Sequence, residues 1–132
     1  KIMKLIRLEH MDLMVNDIEK SVEFYSKLGF FADGTNDKGK SVYMSTDNDQ
    51  NPIGVELHQV SEGQKIGVDH VSFEVADVER SYHELSFRGI KFHVKPQEGT
   101  RSGRSIANFY DPDGLHLQIS KKTRRADYED WK

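Results

Sequence analysis

The feature that most constrains this chain is that it carries one supersecondary unit twice. His10-Met11-Asp12-Leu13-Met14-Val15 and His70-Val71-Ser72-Phe73-Glu74-Val75 each open with histidine and close with valine, sixty residues apart. The residues behind each strand match as well. Asp17, Glu19, Ser21 and Gly29 recur as Asp77, Glu79, Ser81 and Gly89, and Lys20 answers to Arg80. The second stretch alternates without a fault, which predicts a strand with His70, Ser72 and Glu74 on one face and Val71, Phe73 and Val75 on the other. A repeat of about 60 residues buries too little surface to stand alone. The 132 residues therefore read as a single domain of two packed modules, about 5–60 and 68–121, with a charged tail over 122–132.

Each module predicts the order β-α-β-β-β. In the first, a strand over 8–15 leads to Asp17, a good N-cap, with Ile18, Val22, Tyr25 and Leu28 at helical spacing behind it. Gly29 supplies the left-handed stop, so the helix spans 18–28. A short strand over 30–32, a loop over 33–39, strands over 41–46 and 53–60 and a turn over 47–52 complete the unit. In the second, a strand over 68–75 precedes a helix capped by Asp77, with Val78, Tyr82 and Leu85 as its buried stripe and Gly89 as its end. Further strands are expected over 90–94, 104–110 and 115–120, with a polar loop over 96–103. Asp111-Pro112-Asp113-Gly114 has the residues of a tight turn. Phe24, Tyr25 and Phe30 read as core and packing residues, and Tyr128 and Trp131 are the only core-like residues of the tail. The fold class is thus α+β: eight strands in a mixed sheet, curled into a cup, with the helices outside.

The same alternation applied to the closing strands places Val55, Leu57 and Gln59 toward the helix and Glu56 and His58 away from it. At the other end His116, Gln118 and Ser120 face away from the helix. Four of the six histidines (His10, His58, His70 and His116) thus fall on polar sheet faces, where an ordinary solvated face would carry Lys, Thr, Glu and Ser. If those faces line a cup, it holds His10, Glu56, His70 and Gln118 at repeat-related positions. Two imidazoles, a carboxylate and an amide oxygen suit Zn²⁺, Ni²⁺, Mn²⁺ or Fe²⁺, with positions left for water or substrate. His58 and His116 are further candidates for acid–base work or alternative ligands. His83 and His93 read as surface residues. Arg101 and Arg104 flank a glycine near the rim, as part of a solvated loop or as a clamp for an anionic substrate.

These residues carry a family resemblance. The leading His10, Asp17 to Ser21 with Phe24-Tyr25 and Leu28-Gly29-Phe30, Val55-Glu56-Leu57, Asp69-His70-Val71, and Asp111 to Gly114 continuing into Leu115 to Ile119 together resemble the vicinal oxygen chelate superfamily. That superfamily includes glyoxalase I, fosfomycin-resistance proteins, extradiol dioxygenases, methylmalonyl-CoA epimerase and bleomycin-resistance proteins. The resemblance covers residues 5–121 and implies paired β-α-β-β-β modules around a metal cup, usually in a homodimer. It implies His10, Glu56, His70 and Gln118 as the four ligand positions of a glyoxalase-like site. The last of these is most often Glu in such families, and an amide cannot act as a base, so the proton shuttle of a glyoxalase falls to Glu56. The expected activity is a glyoxalase I-like lyase or isomerase whose divalent metal chelates vicinal oxygens of a small-molecule substrate. The alternatives are an extradiol-dioxygenase-like oxygenase, with Fe²⁺ and with His58 or His116 as acid–base group, and a bleomycin-resistance-type protein that binds a ligand without catalysis.

Composition narrows the partners. Charged residues make up 31% of the chain and the net charge is −3, which argues against a nucleic-acid binder. No apolar run is long enough to span a bilayer and no signal-peptide pattern opens the chain, so no membrane partner and a cytoplasmic location are expected. Cysteine is absent, which excludes thiolate ligands and cysteine nucleophiles.

Overall fold

The computed structural model describes residues 3–46, 51–98 and 103–123. The expectations for the tail beyond 123, for Arg101 and for part of the 47–52 turn and the 96–103 loop fall outside them. The elements run β1 (Arg7–Val15), α1 (Ile18–Lys27), β2 (Phe31–Asn36), β3 (Ser41–Ser45), β4 (Gly54–Gln59), β5 (Gly67–Glu74), α2 (Val78–Phe87), β6 (Phe92–Gln97), β7 (Arg104–Tyr110) and β8 (His116–Lys122). The fold is mixed α+β, and β-α-β-β-β occurs twice in it. No helix among the described residues is long and apolar enough to cross a membrane. By its contacts the chain divides into two compact units, residues 10–69 and residues 3–9 with 70–123.

In the first unit the strand order is β2-β3-β4-β1, with β1 parallel to β4 and the other pairs antiparallel. Helix α1 starts where Asp17 Oδ1 accepts from the Lys20 amide at 3.1 Å. It has Glu19 in its first turn and Lys27 in its last, both suited to the helix dipole. It ends on Gly29 at φ +106°, where the amides of Gly29 and Phe30 return to the carbonyls of Ser26 and Tyr25. Gln59 faces the helix as its place in the alternation requires. Its Oε1 accepts from the Ile18 amide at 2.9 Å and its Nε2 donates to the Asn16 carbonyl, so a strand side chain holds the entry to the helix. The core is Ile18, Val22, Val42, Met44, Val55 and Leu57, with Tyr25 and Phe30 packed against it.

Two residues assigned to that core are not in it. Leu28 is 61% and Phe24 57% exposed. The helix stops at Lys27, so Leu28 leaves the apolar stripe, and Phe24 meets Tyr25 only edge-on at 5.4 Å. The loop expected over 33–39 is also largely strand. β2 continues through a bulge between Ala32 and Gly34 to Asn36, which pairs with Ser41. A bulge breaks alternation, which is why the segment reads as loop in sequence.

The second unit has the order β5-β8-β7-β6, with β5 parallel to β8. Helix α2 repeats the devices of α1: Asp77 Oδ1 accepts from the Arg80 amide at 2.9 Å. Gly89 sits at φ +97°, with the Gly89 and Ile90 amides on the Ser86 and Leu85 carbonyls. Val75, Val78, Ala107, Phe109 and Ile119 form the core, with Leu85 and Phe92 against it, and Tyr82 meets Phe92 at 4.9 Å. The sixth strand was expected over 90–94 and lies over 92–97, including Pro96. It ends this unit's strand order and its register is irregular, so it tolerates a residue with no amide to donate. Asp111 makes the expected turn, its Oδ1 accepting from the Asp113 and Leu115 amides.

Candidate functional site

In both units the strands turn a polar face away from the helix, and the register decides which side chains meet there. In the first unit β1 pairs Asp12 with Glu56 and Met14 with His58, while β3 pairs Ser41 with His58 and Tyr43 with Glu56. Neighbours on one sheet face lie within side-chain reach directly and on the diagonal. A chain of contacts results. Ser41 Oγ stands 2.8 Å from His58 Nδ1, and His58 Nε2 stands 2.5 Å from Asp12 Oδ1. The other oxygen, Asp12 Oδ2, stands 2.9 Å from His10 Nε2. Asp12 and His10 are each 3% exposed in their side chains.

Asp12, absent from the residues expected at the site, stands between His10 and His58. It lies two places after His10, so the alternation that gave His70, Ser72 and Glu74 as one face already placed it beside His10. A carboxylate this buried needs compensation, and two imidazole N–H groups provide it. Glu56 completes the group: Asp12, Glu56 and His58 each offer one ligand atom within 4.8 Å of the others. Burial pushes the His58 pKa down, but the Asp12 hydrogen bond and the charges of Glu56, Asp12 and Asp69 outweigh it. The pKa stands above the ordinary 6.5.

In the second unit β5 pairs Ser72 with Gln118, and β7 pairs Asn108 with Gln118 and Tyr110 with His116. His70 and His116, both named from sequence, lie side by side with ring centres 5.1 Å apart. His93 is exposed, as expected. It stacks on Tyr110 at 4.2 Å and 14°, with His116 5.0 Å away. His83 does lie on the surface, paired with Glu79 one turn earlier.

The solvated loop or anion clamp expected at Arg104 is not what forms: the residue is 4% exposed at the start of β7. Its Nε and Nη2 donate to the two oxygens of Glu9, both at 2.8 Å. Ser72 Oγ donates to Ser120 Oγ at 2.7 Å, and Ser120 Oγ reaches Glu9 at 3.4 Å. The guanidinium fork is thus matched inside the unit by a carboxylate.

The donor chemistry of the first unit fits a divalent transition ion. Carboxylates and imidazoles together suit Zn²⁺, Mn²⁺, Fe²⁺ and Ni²⁺, and each is already oriented by a hydrogen bond or a strand register.

A profile of the Glyoxalase/Bleomycin resistance protein/Dioxygenase superfamily matches residues 7–119. YraH, an uncharacterized protein of Bacillus subtilis (strain 168), is 31% identical over 130 residues, covering 90% of this chain and 98% of its own. YurT of the same organism, also uncharacterized, is 30% identical over 123 residues, covering 83% and 94%. Among solved structures, a variant of Streptomyces coelicolor methylmalonyl-CoA epimerase with 2-nitronate-propionyl-CoA superposes with a TM-score of 0.73. It is 18% identical and covers 92% of this chain and 100% of its own. The Mn(II)-bound glyoxalase from Novosphingobium aromaticivorans has a TM-score of 0.74 at 17% identity, covering 99% of this chain and 44% of the other. The 2,3-dioxygenase LapB from Pseudomonas sp. KL28 has 0.75 at 20%, covering 96% and 44%. At these identities the structural likeness is one of fold.

Proposed function

Because the chain belongs to the glyoxalase/bleomycin resistance protein/dioxygenase superfamily, we propose that it is a metal-dependent small-molecule enzyme, a lyase or isomerase of the glyoxalase I kind. The observation that carries this reading is the convergence of Asp12, Glu56 and His58 on one sheet face, with His10 hydrogen-bonded to Asp12. We assign the ligands of a divalent transition ion to His10 and Glu56 of the first module and to their repeat counterparts His70 and Gln118 of the second. Manganese in one similar structure and the dioxygenase activity of another support a metal-using chemistry. When bound, such an ion supplies Lewis acidity toward two adjacent oxygens of the substrate.

The remaining work falls to the chain's own residues. Glu56 takes the proton from one oxygen-bearing carbon and returns it to the neighbouring one. Gln118 holds an oxygen donor in place without a charge and cannot share that task. His58 and His116 are the other groups able to exchange a proton there.

Elemental analysis of protein purified without chelator tests the reading, beside His70→Ala and Glu56→Gln. About one transition-metal equivalent per chain, reduced in both variants, is expected by the ligand rules. Turnover of a hemithioacetal that survives in His58→Ala and disappears in Glu56→Gln is expected as well. Protein that takes up no ion after reconstitution with zinc, nickel, manganese and iron overturns it and leaves a non-catalytic ligand-binding protein.

A further inference from the structure

We propose that Asn108 is a recognition residue for the small-molecule ligand, receiving with Gln118 a neutral hydrogen-bond donor of that ligand, a hydroxyl or an amide N–H. This rests on the small-molecule reading proposed above but needs no metal. Asn108 stands inside β7, paired with β6 on one side and with β8 on the other, and asparagine is depleted in strands. It is 8% exposed. Its Oδ1 is buried and has no hydrogen-bond partner among the described residues. A buried acceptor left unmatched costs free energy, and folded chains keep few of them. Where strand propensity and hydrogen bonding are both broken at one position, the usual reason is a working site.

The neighbours decide what kind of group fits. Gln118, opposite Asn108 on β8, is 6% exposed, and Tyr110 with His116 forms the next pair on the same face. Two carboxamides side by side offer N–H donors and carbonyl acceptors without net charge. The terminal torsion of such a side chain is broad, so a turn of the Asn108 amide brings Oδ1 to a ligand. That oxygen accepts and cannot donate. A carboxylate or phosphate set against it meets repulsion, and the guanidinium on this strand, Arg104, already donates to both oxygens of Glu9. A hydroxyl or amide N–H satisfies Oδ1, and an oxygen beside it is met by the N–H groups of Asn108 or Gln118.

The repeat makes this a property of the second module and not a demand of the scaffold. By the parallel register, Glu56 holds in the first module the place of Gln118 in the second. Opposite Glu56 stands Tyr43, where the second module has Asn108. The first module thus sets a phenol beside a carboxylate, and the second sets an amide beside an amide. A carboxylate moves a proton, whereas a pair of amides holds an oxygen-bearing group without exchanging one. Proton transfer and recognition are thereby divided between the modules, with Asn108 on the side of recognition.

Two measurements on the full chain test this. Urea unfolding compares the native protein with Asn108→Val and Asn108→Thr, both strand formers that remove the unmatched amide. The midpoint is expected to hold or rise in at least one of them; a fall in both overturns the proposal, because the amide is then needed by the fold. The second measurement follows the side-chain ¹H–¹⁵N amide signals of Asn108 and Gln118, assigned by their loss in Asn108→Val and Gln118→Leu. Metal-free and zinc-treated protein is titrated with hydroxyacetone, acetone and glycolate. Hydroxyacetone, a neutral hydroxyl beside a carbonyl, is expected to move the Asn108 signals at about one tenth of the concentration that acetone or glycolate needs. In Asn108→Val the Gln118 signals are expected to lose that preference. Equal responses to the three probes, or a response to glycolate first, overturn the proposal. Asn108 signals that no probe moves assign the amide to a bound water only and overturn it as well. Hydroxyacetone recognised by protein that takes up no zinc upholds Asn108 while the metal-dependent reading fails; zinc uptake with Asn108 silent to every probe is the reverse.

Discussion

The two modules share a backbone plan and differ in how they settle their buried charge. Each has an Asp N-cap, a Gly stop and a parallel pairing of its first and last strands in the same register. In the first module the pair on the polar face is Asp12 and His58; in the second it is Ser72 and Ser120. In the unit built on the second module the buried carboxylate is Glu9, and its partner is the Arg104 fork. The first arrangement matches an anion with proton-exchanging, metal-binding groups. The second matches it with a group that stays protonated and has no lone pair to offer. Scaffold and chemistry therefore vary independently in this fold: one copy keeps reactive partners, the other a permanent ion pair.

The largest effect expected from breaking this comparison is at Arg104. Arg104→Met removes the guanidinium that pairs with the buried Glu9 carboxylate, a loss of about 3–5 kcal/mol, read as a lower midpoint in urea. Asp12→Ala removes the acceptor of two imidazoles and is expected to cost about 1–3 kcal/mol for the donors left unsatisfied. Copying the second module into the first sharpens the point. Asp12→Ser with His58→Ser is expected to cost less than the sum of the single changes, by roughly 0.5–3 kcal/mol of coupling, and strict additivity in a double-mutant cycle would refute the paired unit. Smaller and symmetric effects belong to the caps. Asp17→Ala and Asp77→Ala are each expected to cost about 1 kcal/mol, whereas Gln59→Ala, which opens the entry to α1 only, has its effect in the first module alone.

The smallest effect concerns pH. In chelator-treated protein His58 is expected to titrate above 6.5, because Asp12 and the nearby carboxylates outweigh its burial. A pKa raised on folding means stabilisation that is complete below the unfolded value and is lost as pH rises through the folded one. An NMR titration checks this, and the midpoint is expected to fall in Asp12→Asn.

Much of this was legible in the chain before its tertiary structure. The duplication, both N-caps and both Gly stops come from local rules, and so do the polar face of the first unit, with His10 and Glu56, and that of the second, with His70 and Gln118. The extents of β2 and β6 were not, because a bulge and an irregular edge register hide strands from an alternation test. Leu28 and Phe24 were misplaced because spacing marks a stripe without saying where the helix ends.

What the sequence by itself determined is the pair of modules and the faces of their strands, since these depend on neighbours a few residues apart. Only the tertiary structure decided the partners. Asp12 joins His58 across 46 residues, Ser72 joins Ser120 across 48, and Glu9 joins Arg104 across 95. Alternation tells which way a side chain points, but the register between strands distant in the chain decides what it meets. A buried carboxylate takes the donor that register puts within reach: an imidazole in the first unit, a guanidinium in the second.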